Sequence, residues 1–289
     1  MMEYRIGGIG STKPQAYSHN REIARISREV YETIREKTKV LWDFSTPHLA
    51  WVALSKNKRQ LGKLLAPSNP ELTVADRVYL SGVESRERQV ECLCIIMNIL
   101  ASASSYLSIS GTHIKNNFDE GVLLNWDKKR RELHKNNFSY RFCYELRNYA
   151  QHYGLPVSEF NFEMSDTHLI KLIPIISSDD LSRNESKLNK NLFLEIMSRH
   201  PERFDLVELI CGYFSCVTEI HRNTFLCYKS RFDECEEYLS NLDRLYRFES
   251  GERPVIFIRP PNGNSNQDEM EYIPTYLLSE IKEYVGNFN

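Results

Sequence analysis

The chain has 289 residues, 41% hydrophobic and 26% charged: enough apolar material for one large or two small domains, and too much for a globally disordered chain. A formal net charge of -2 gives no overall attraction to nucleic acid or to an anionic membrane, so any nucleic-acid contact has to come from a local basic patch. The seven cysteines are odd in number, form no C-x-x-C pair and lie mostly in apolar helical runs, which points to reduced, buried thiols and away from a disulfide framework or a zinc site. Met1 to Gly10 holds no apolar run of signal-peptide length, and no stretch reads as the roughly 18 continuous apolar residues of a membrane helix. The expectation is a cytoplasmic protein with no membrane partner.

In chain order, residues 1–17, with Gly7, Gly8, Gly10 and Pro14, read as an irregular lead-in. Ser18 is placed to cap a helix running to about residue 42, with Ile23, Ile26, Val30, Ile34, Val40 and Leu41 at helical spacing. Ser45-Thr46-Pro47 reads as a stop and a new cap, and 47–66 as a second helix. Pro67-Ser68-Asn69-Pro70 reads as a break. A strongly apolar helix follows from about 73 to 110, ended by Gly111, with Ser102, Ser104 and Ser105 allowing close packing. Asp119 and Glu120 open the next helix, where acidic residues complement the dipole. Asn136-Asn137 is a short break before a helix over about 138–153.

Beyond Pro156 the pattern changes. Residues 159–163 alternate, 168–176 form a β-branched run, and the two pair as a hairpin across Ser165-Asp166. Ser177–Asn184 reads as a polar loop and 186–199 as a helix. Asp205 caps a long helix toward Phe248. Residues 254–258 read as a strand, 260–267 as a loop and 274–286 as a last amphipathic helix. There is no internal repeat. The fold class is therefore mainly α: a helical bundle with a small inserted β-hairpin and a short C-terminal strand-helix unit. Four stretches follow one another: 1–156, helical; 157–185, the hairpin and loop insertion; 186–250, long helices completing the bundle; 251–289, the C-terminal strand and helix.

Chemistry concentrates in the 138–153 helix, which carries Arg147-Asn148-Tyr149-Ala150-Gln151-His152 just before Gly154 and Pro156. Asn148 and His152, four apart, share a face. Arg147 and His152, five apart, lie about 140° from one another around the axis, so a groove or an interface is needed to bring them to one substrate. Leu146, Tyr149 and Tyr153 are the set expected to face the core. Arg offers planar donors suited to a phosphate, His gives or takes a proton near neutral pH, and Asn orients either one. Together they suit metal-independent, cofactor-free cleavage of an RNA phosphodiester bond. One helix supplies a single His, and a two-fold dimer through 138–153 supplies two.

R-N-x-x-x-H late in an amphipathic helix of a bundle resembles the HEPN superfamily. Many members are metal-independent ribonucleases of toxin–antitoxin, abortive-infection and other antiviral systems. The resemblance implies that Arg147, Asn148 and His152 stand for the family's Arg, its polar neighbour and its His. It also implies a composite site in a dimer, an RNA substrate, and an antitoxin or sensor protein as controlling partner. Some toxin-type members carry a Tyr two residues after the His, where this chain has Gly154.

Lys128-Lys129-Arg130-Arg131, one helix earlier, is the basic patch placed to track an RNA backbone. Lys56, Lys58 and Arg59 form a weaker one. Arg222-Asn223 with Cys227 echoes the motif, with Cys where His would stand, and His221 beside it reads as a packing residue. Asp179-Asp180 lacks matching metal ligands, and Gly7-Gly8-Ile9-Gly10 lacks the ending of a phosphate loop. The competing reading is a non-catalytic helical module that binds a partner protein or a nucleotide through the same groove.

Overall fold

The structure is a computed structural model that describes residues 1–11, 18–66, 82–164, 170–183, 188–199, 202–261, 263 and 265–286. It is mainly α, as the pattern predicts: eight helices and two small antiparallel sheets among the described residues. The chain forms two compact units, one of residues 1–46 and 225–289, the other of residues 47–224.

The first unit holds a four-stranded sheet in the order β2 (Ser18–Ile26), β1 (Glu3–Ser11), β6 (Arg253–Arg259), β7 (Glu269–Tyr272). This corrects the irregular lead-in and the helix from Ser18. Residues 3–11 and 18–26 are strands, residues 12–17 lie outside the described residues, and α1 (Arg28–Leu65) starts only after Ser27, whose Oγ accepts from the Val30 N–H. The physical reason is long-range pairing. Glu3–Ile9 lies antiparallel to Arg253–Arg259, far away in sequence, and local propensity does not register such a partner. Gly7 sits at a register shift against β2, where a Cβ would lie 2.1 Å from the Arg21 carbonyl oxygen, so only glycine fits. Ion pairs tie the strands: Arg259 donates to Asp268 through Nε and Nη2, each at 2.7 Å, and to Glu22 at 2.8 Å. Beneath the sheet, Tyr4 stacks on Tyr31 at 4.4 Å. Phe44 meets Phe225, Tyr228 and Phe232 edge-on at 5.2–6.0 Å. The last helix, α8 (Thr275–Gly286), buries Leu277 and Ile281.

Pro47 does not end α1. The helix runs through it, short of the one hydrogen bond that proline cannot donate. Likewise α2 (Gly82–Asn117) passes through Gly111, which lies against the Trp126 ring. Residues 86–117 of α2 are long and apolar enough, by length and composition alone, to cross a membrane, which revises the expectation that no such stretch exists. Yet 44% of its apolar window is buried inside the protein, with Cys92, Ile96, Ile99, Leu100, Ala103 and Tyr106 among its buried residues. The proposed breaks at residues 67–70 and the hairpin turn at 165–166 lie outside the described residues.

The second unit is the bundle. Here α3 (Glu120–Asn136) and α4 (Phe138–His152) pack on α2. The long α7 (Leu206–Tyr246) contributes its first half. A hairpin of β3 (Glu159–Met164) and β4 (Ile170–Ser177) is joined by the short β5 (Arg203–Asp205). Within the stretch expected as a loop, residues 178–182 form a short helix, α5 (Ser178–Ser182), while Asn184 lies outside the described residues; α6 (Lys190–Ser198) follows.

The centre of this unit is polar as well as aromatic. Trp126 Nε1 donates to Thr224 Oγ1 at 2.9 Å, and Thr224 Oγ1 donates to the Ile220 carbonyl at 2.8 Å. The Tyr106 hydroxyl lies 3.2 Å from His221 Nδ1 and 3.3 Å from Thr224 Oγ1. The Trp51 ring stacks on His221 at 4.5 Å, and His48 lies 5.6 Å from His221. His221 is thus a packing residue, as its position predicts.

Asn137 carries the corner between α3 and α4. Its N–H donates to the Leu133 carbonyl and its Oδ1 accepts from the Tyr140 N–H at 3.0 Å, so one residue closes one helix and caps the next. Asn137→Ala is expected to cost about 1 kcal/mol, read as a lowered urea midpoint with unchanged slope.

Candidate functional site

Helix α4 is fixed on three sides. Its apolar face buries Tyr140, Phe142, Cys143, Leu146 and Tyr149. Tyr140 packs on Tyr213 of α7 at 5.3 Å, and Phe142 on Phe204 of β5 at 5.4 Å. Burial pushes the Cys143 thiol well up, so it stays a neutral packing group. Near its start, Arg141 donates to both carboxylate oxygens of Glu195 on α6, and through Nη1 to the His134 carbonyl at 2.9 Å. Arg199 lies over the Phe138 ring at 3.9 Å. The C-terminal end is pinned by Tyr149, whose carbonyl accepts from the N–H groups of Tyr153 and Gly154 and whose hydroxyl donates to the Asp180 carbonyl. A Cβ at Gly154 would come within 2.8 Å of that hydroxyl, so glycine lets the chain turn tightly past the helix end.

On this rigid helix the three motif residues occupy different environments. Arg147 is half-buried. Its Nη1 donates to Asn148 Oδ1 at 2.9 Å, while its Nε is buried without a hydrogen-bond partner. Its charge acts on the buried Tyr213 hydroxyl, opposing the burial that drives that group up. Arg147 and Asn148 are therefore joined side chain to side chain. Burial pushes Glu145 upward, and Asn148 works the other way. His152 is exposed at the last helical position, its ring 5.8 Å from that of Tyr153. It forms no hydrogen bond or ion pair with Arg147 or Asn148, so the structure joins the first two motif residues and leaves the third apart. Tyr153, expected in the core, is 43% exposed because the helix has already ended there.

The basic run on α3 is largely paired. Arg130 donates to Asp127 Oδ1 through Nε at 3.0 Å and Nη2 at 2.7 Å, and Arg131 Nε donates to Oδ2 at 2.6 Å. Burial tends to raise the Asp127 carboxyl, and the two guanidinium groups outweigh it, holding it below the usual carboxylate range. Lys129 lies 3.5 Å from Glu219. Lys128 is exposed and makes no ion pair among the described residues. One carboxylate thus takes up much of the charge that the run presents. Lys58 of the weaker cluster packs over Phe214, 5.7 Å from the ring centre.

Two participants were not singled out from the sequence. Glu145 stands three residues before Asn148, the spacing at which helical side chains meet. Asp127 stands three and four residues before Arg130 and Arg131. Both spacings are legible, but helical carboxylates at such spacings are common and usually only solvate a surface. Among the described residues no group of three or more His, Cys, Asp or Glu side chains is placed to hold a metal ion. Compared with known proteins, the chain matches no family model, no curated protein and no solved structure.

Proposed function

We propose that the chain is an endoribonuclease of the HEPN type, cleaving RNA without a metal ion. We place it in the cytoplasm, in bacterial antiviral defence or a toxin–antitoxin system, under the control of an antitoxin or sensor protein. The observation that carries this reading is the presence on α4 of an Arg147 guanidinium steadied by Asn148 and of an exposed His152 at the end of the same helix.

The chemistry follows from these groups. The RNA 2′-hydroxyl attacks the adjacent phosphorus, its proton leaves to a base, and the bond from phosphorus to the 5′-oxygen breaks as that oxygen gains a proton. Imidazole suits either proton transfer near neutral pH. A guanidinium aimed at the phosphate stabilises the charge that builds on its oxygens. Because His152 stands apart from Arg147, a second copy of α4 completes the pair: a homodimer through this helix supplies one imidazole for each proton. Asn148, accepting from Nη1, keeps the guanidinium from swinging freely.

The purified protein, with chelator present, is expected to cut RNA and leave 5′-hydroxyl ends. RNA carrying a 2′-deoxy nucleotide at the cut position is expected to stay intact, because the attacking oxygen is missing. Cleavage of the 2′-deoxy substrate would overturn the mechanism. RNA binding without cleavage would favour a non-catalytic binding module.

A further inference from the structure

Between α2, α3 and the middle of α4 runs an open groove of about 520 Å³, separate from the motif residues but bordering their helix. One wall is a stripe of α2: Ser108, Thr112 and Lys115, spaced four and three apart and so on one face. All three are exposed, and none bonds any other part of the chain among the described residues. The opposite wall presents Arg130, held by two hydrogen bonds to Asp127. Its guanidinium is therefore preset rather than mobile. At the edge stands Tyr144, 38% exposed, with its ring edge-on to His134 at 5.8 Å.

We propose that this groove binds one ribonucleotide unit of a single-stranded RNA and leads the strand to the motif; the proposal rests on the RNA-cleaving reading above. The walls hold the donors a nucleotide asks for: an ammonium and a guanidinium for phosphate oxygens, hydroxyls for the ribose, an exposed aromatic ring for the base. The volume lies in the range of small-ligand sites. Lys115 and Arg130 outweigh Asp127, so the groove carries the local positive charge that the chain as a whole lacks. A duplex keeps its base faces stacked inside and offers none to Tyr144, which selects for a single strand. Continuity supports the same occupant: Tyr144 stands three residues before Arg147 and four before Asn148, on one face of α4.

The test is the affinity of the full chain carrying His152→Ala, so that RNA stays uncut, for a fluorescein-labelled single-stranded oligoribonucleotide, read by anisotropy. Tyr144→Ala is expected to weaken binding about tenfold, and Tyr144→Phe to restore it, because stacking needs only the ring. Lys115→Ala should weaken binding and flatten its salt dependence. Lys39→Ala, in the other unit, should change neither. AMP should compete poorly; competition by AMP as strong as that of the oligonucleotide would assign the groove to free nucleotides and overturn the strand reading. Unchanged affinity in Tyr144→Ala and Lys115→Ala, or no RNA binding by the parent at low salt, would overturn the proposal. Cleavage by the wild type, assayed in parallel, separates the two ideas. If it cuts RNA while the groove substitutions change nothing, the groove fails and the ribonuclease stands. If binding is lost in the groove variants while the wild type never cuts, the ribonuclease fails and the groove stands.

Discussion

Taking the protein from pH 6.5 to pH 4.5 is expected to weaken the unit of residues 47–224 far more than a carboxylate-driven acid transition would. His48 and His221 are 2% and 1% exposed and lie face to face, 5.6 Å apart. Burial holds the His48 imidazole down at about 4. Burial first, and then the neighbouring His48, hold His221 well below the ordinary histidine value. The sign follows from proton counts. In the unfolded chain both imidazoles take up protons near pH 6.5, whereas in the folded chain they stay neutral until far lower pH. Stability is thus fully present above pH 6.5 and is lost as the pH falls toward 4. For His48 alone the gap between 6.5 and about 4 corresponds to a loss on the order of 3 kcal/mol. Carboxylates titrate largely below this window, which separates the two effects. Urea midpoints followed by tryptophan fluorescence should fall steadily between pH 6.5 and 4.5, and His48→Phe should flatten that slope. An equal slope in the two proteins would remove His48 from the account.

His152→Ala and Arg147→Ala should each remove nearly all RNA cleavage while leaving the fold in place. Losing a positioned proton-transfer group costs about 10²–10⁴-fold in rate. Losing a donor to the charge that builds in the transition state costs about 10²–10³-fold. Neither change should cost much stability. His152 is exposed, and exposed substitutions usually stay within about 0.5 kcal/mol. Arg147 already carries a buried Nε without a partner, so its truncation removes a burden along with a contact. Arg147→Lys should not rescue, because an ammonium lacks the planar fork that bonds Asn148 and a phosphate at once. Asn148→Ala should slow cleavage less than either, by freeing the guanidinium. Circular dichroism and melting curves on the same preparations check that folding is intact.

The helices were legible where local signals set them. Asp119 and Asn137 are side-chain caps, and Asn137 marks the corner before the motif helix to the residue. Of the core face expected from spacing, Leu146 and Tyr149 are buried and Tyr153 is not. What escaped was non-local. The Gly-rich start of the chain is a strand held between β2 and the distant β6, and Ser18–Ile26 has a helical rhythm of Ile23 and Ile26 yet pairs with β1. Pro47 and Gly111 look like stops but lie inside helices whose packing outweighs one lost bond or one flexible residue. At the candidate site the composition was legible and the connections were not. The sequence names Arg147, Asn148 and His152, but not that Asn148 accepts from Arg147, that Asp127 takes up Arg130 and Arg131, or that His152 bonds neither Arg147 nor Asn148.

That isolation makes His152 the residue on which the central claim turns. The most direct measurement is the cleavage rate of a labelled RNA by the purified wild type and by His152→Ala, side by side with chelator present. The wild type is expected to cut, leaving 5′-hydroxyl ends, and His152→Ala to cut more slowly by about a hundredfold or more. Equal rates in the two proteins, or a wild type that cuts only after a metal is restored, would contradict that claim.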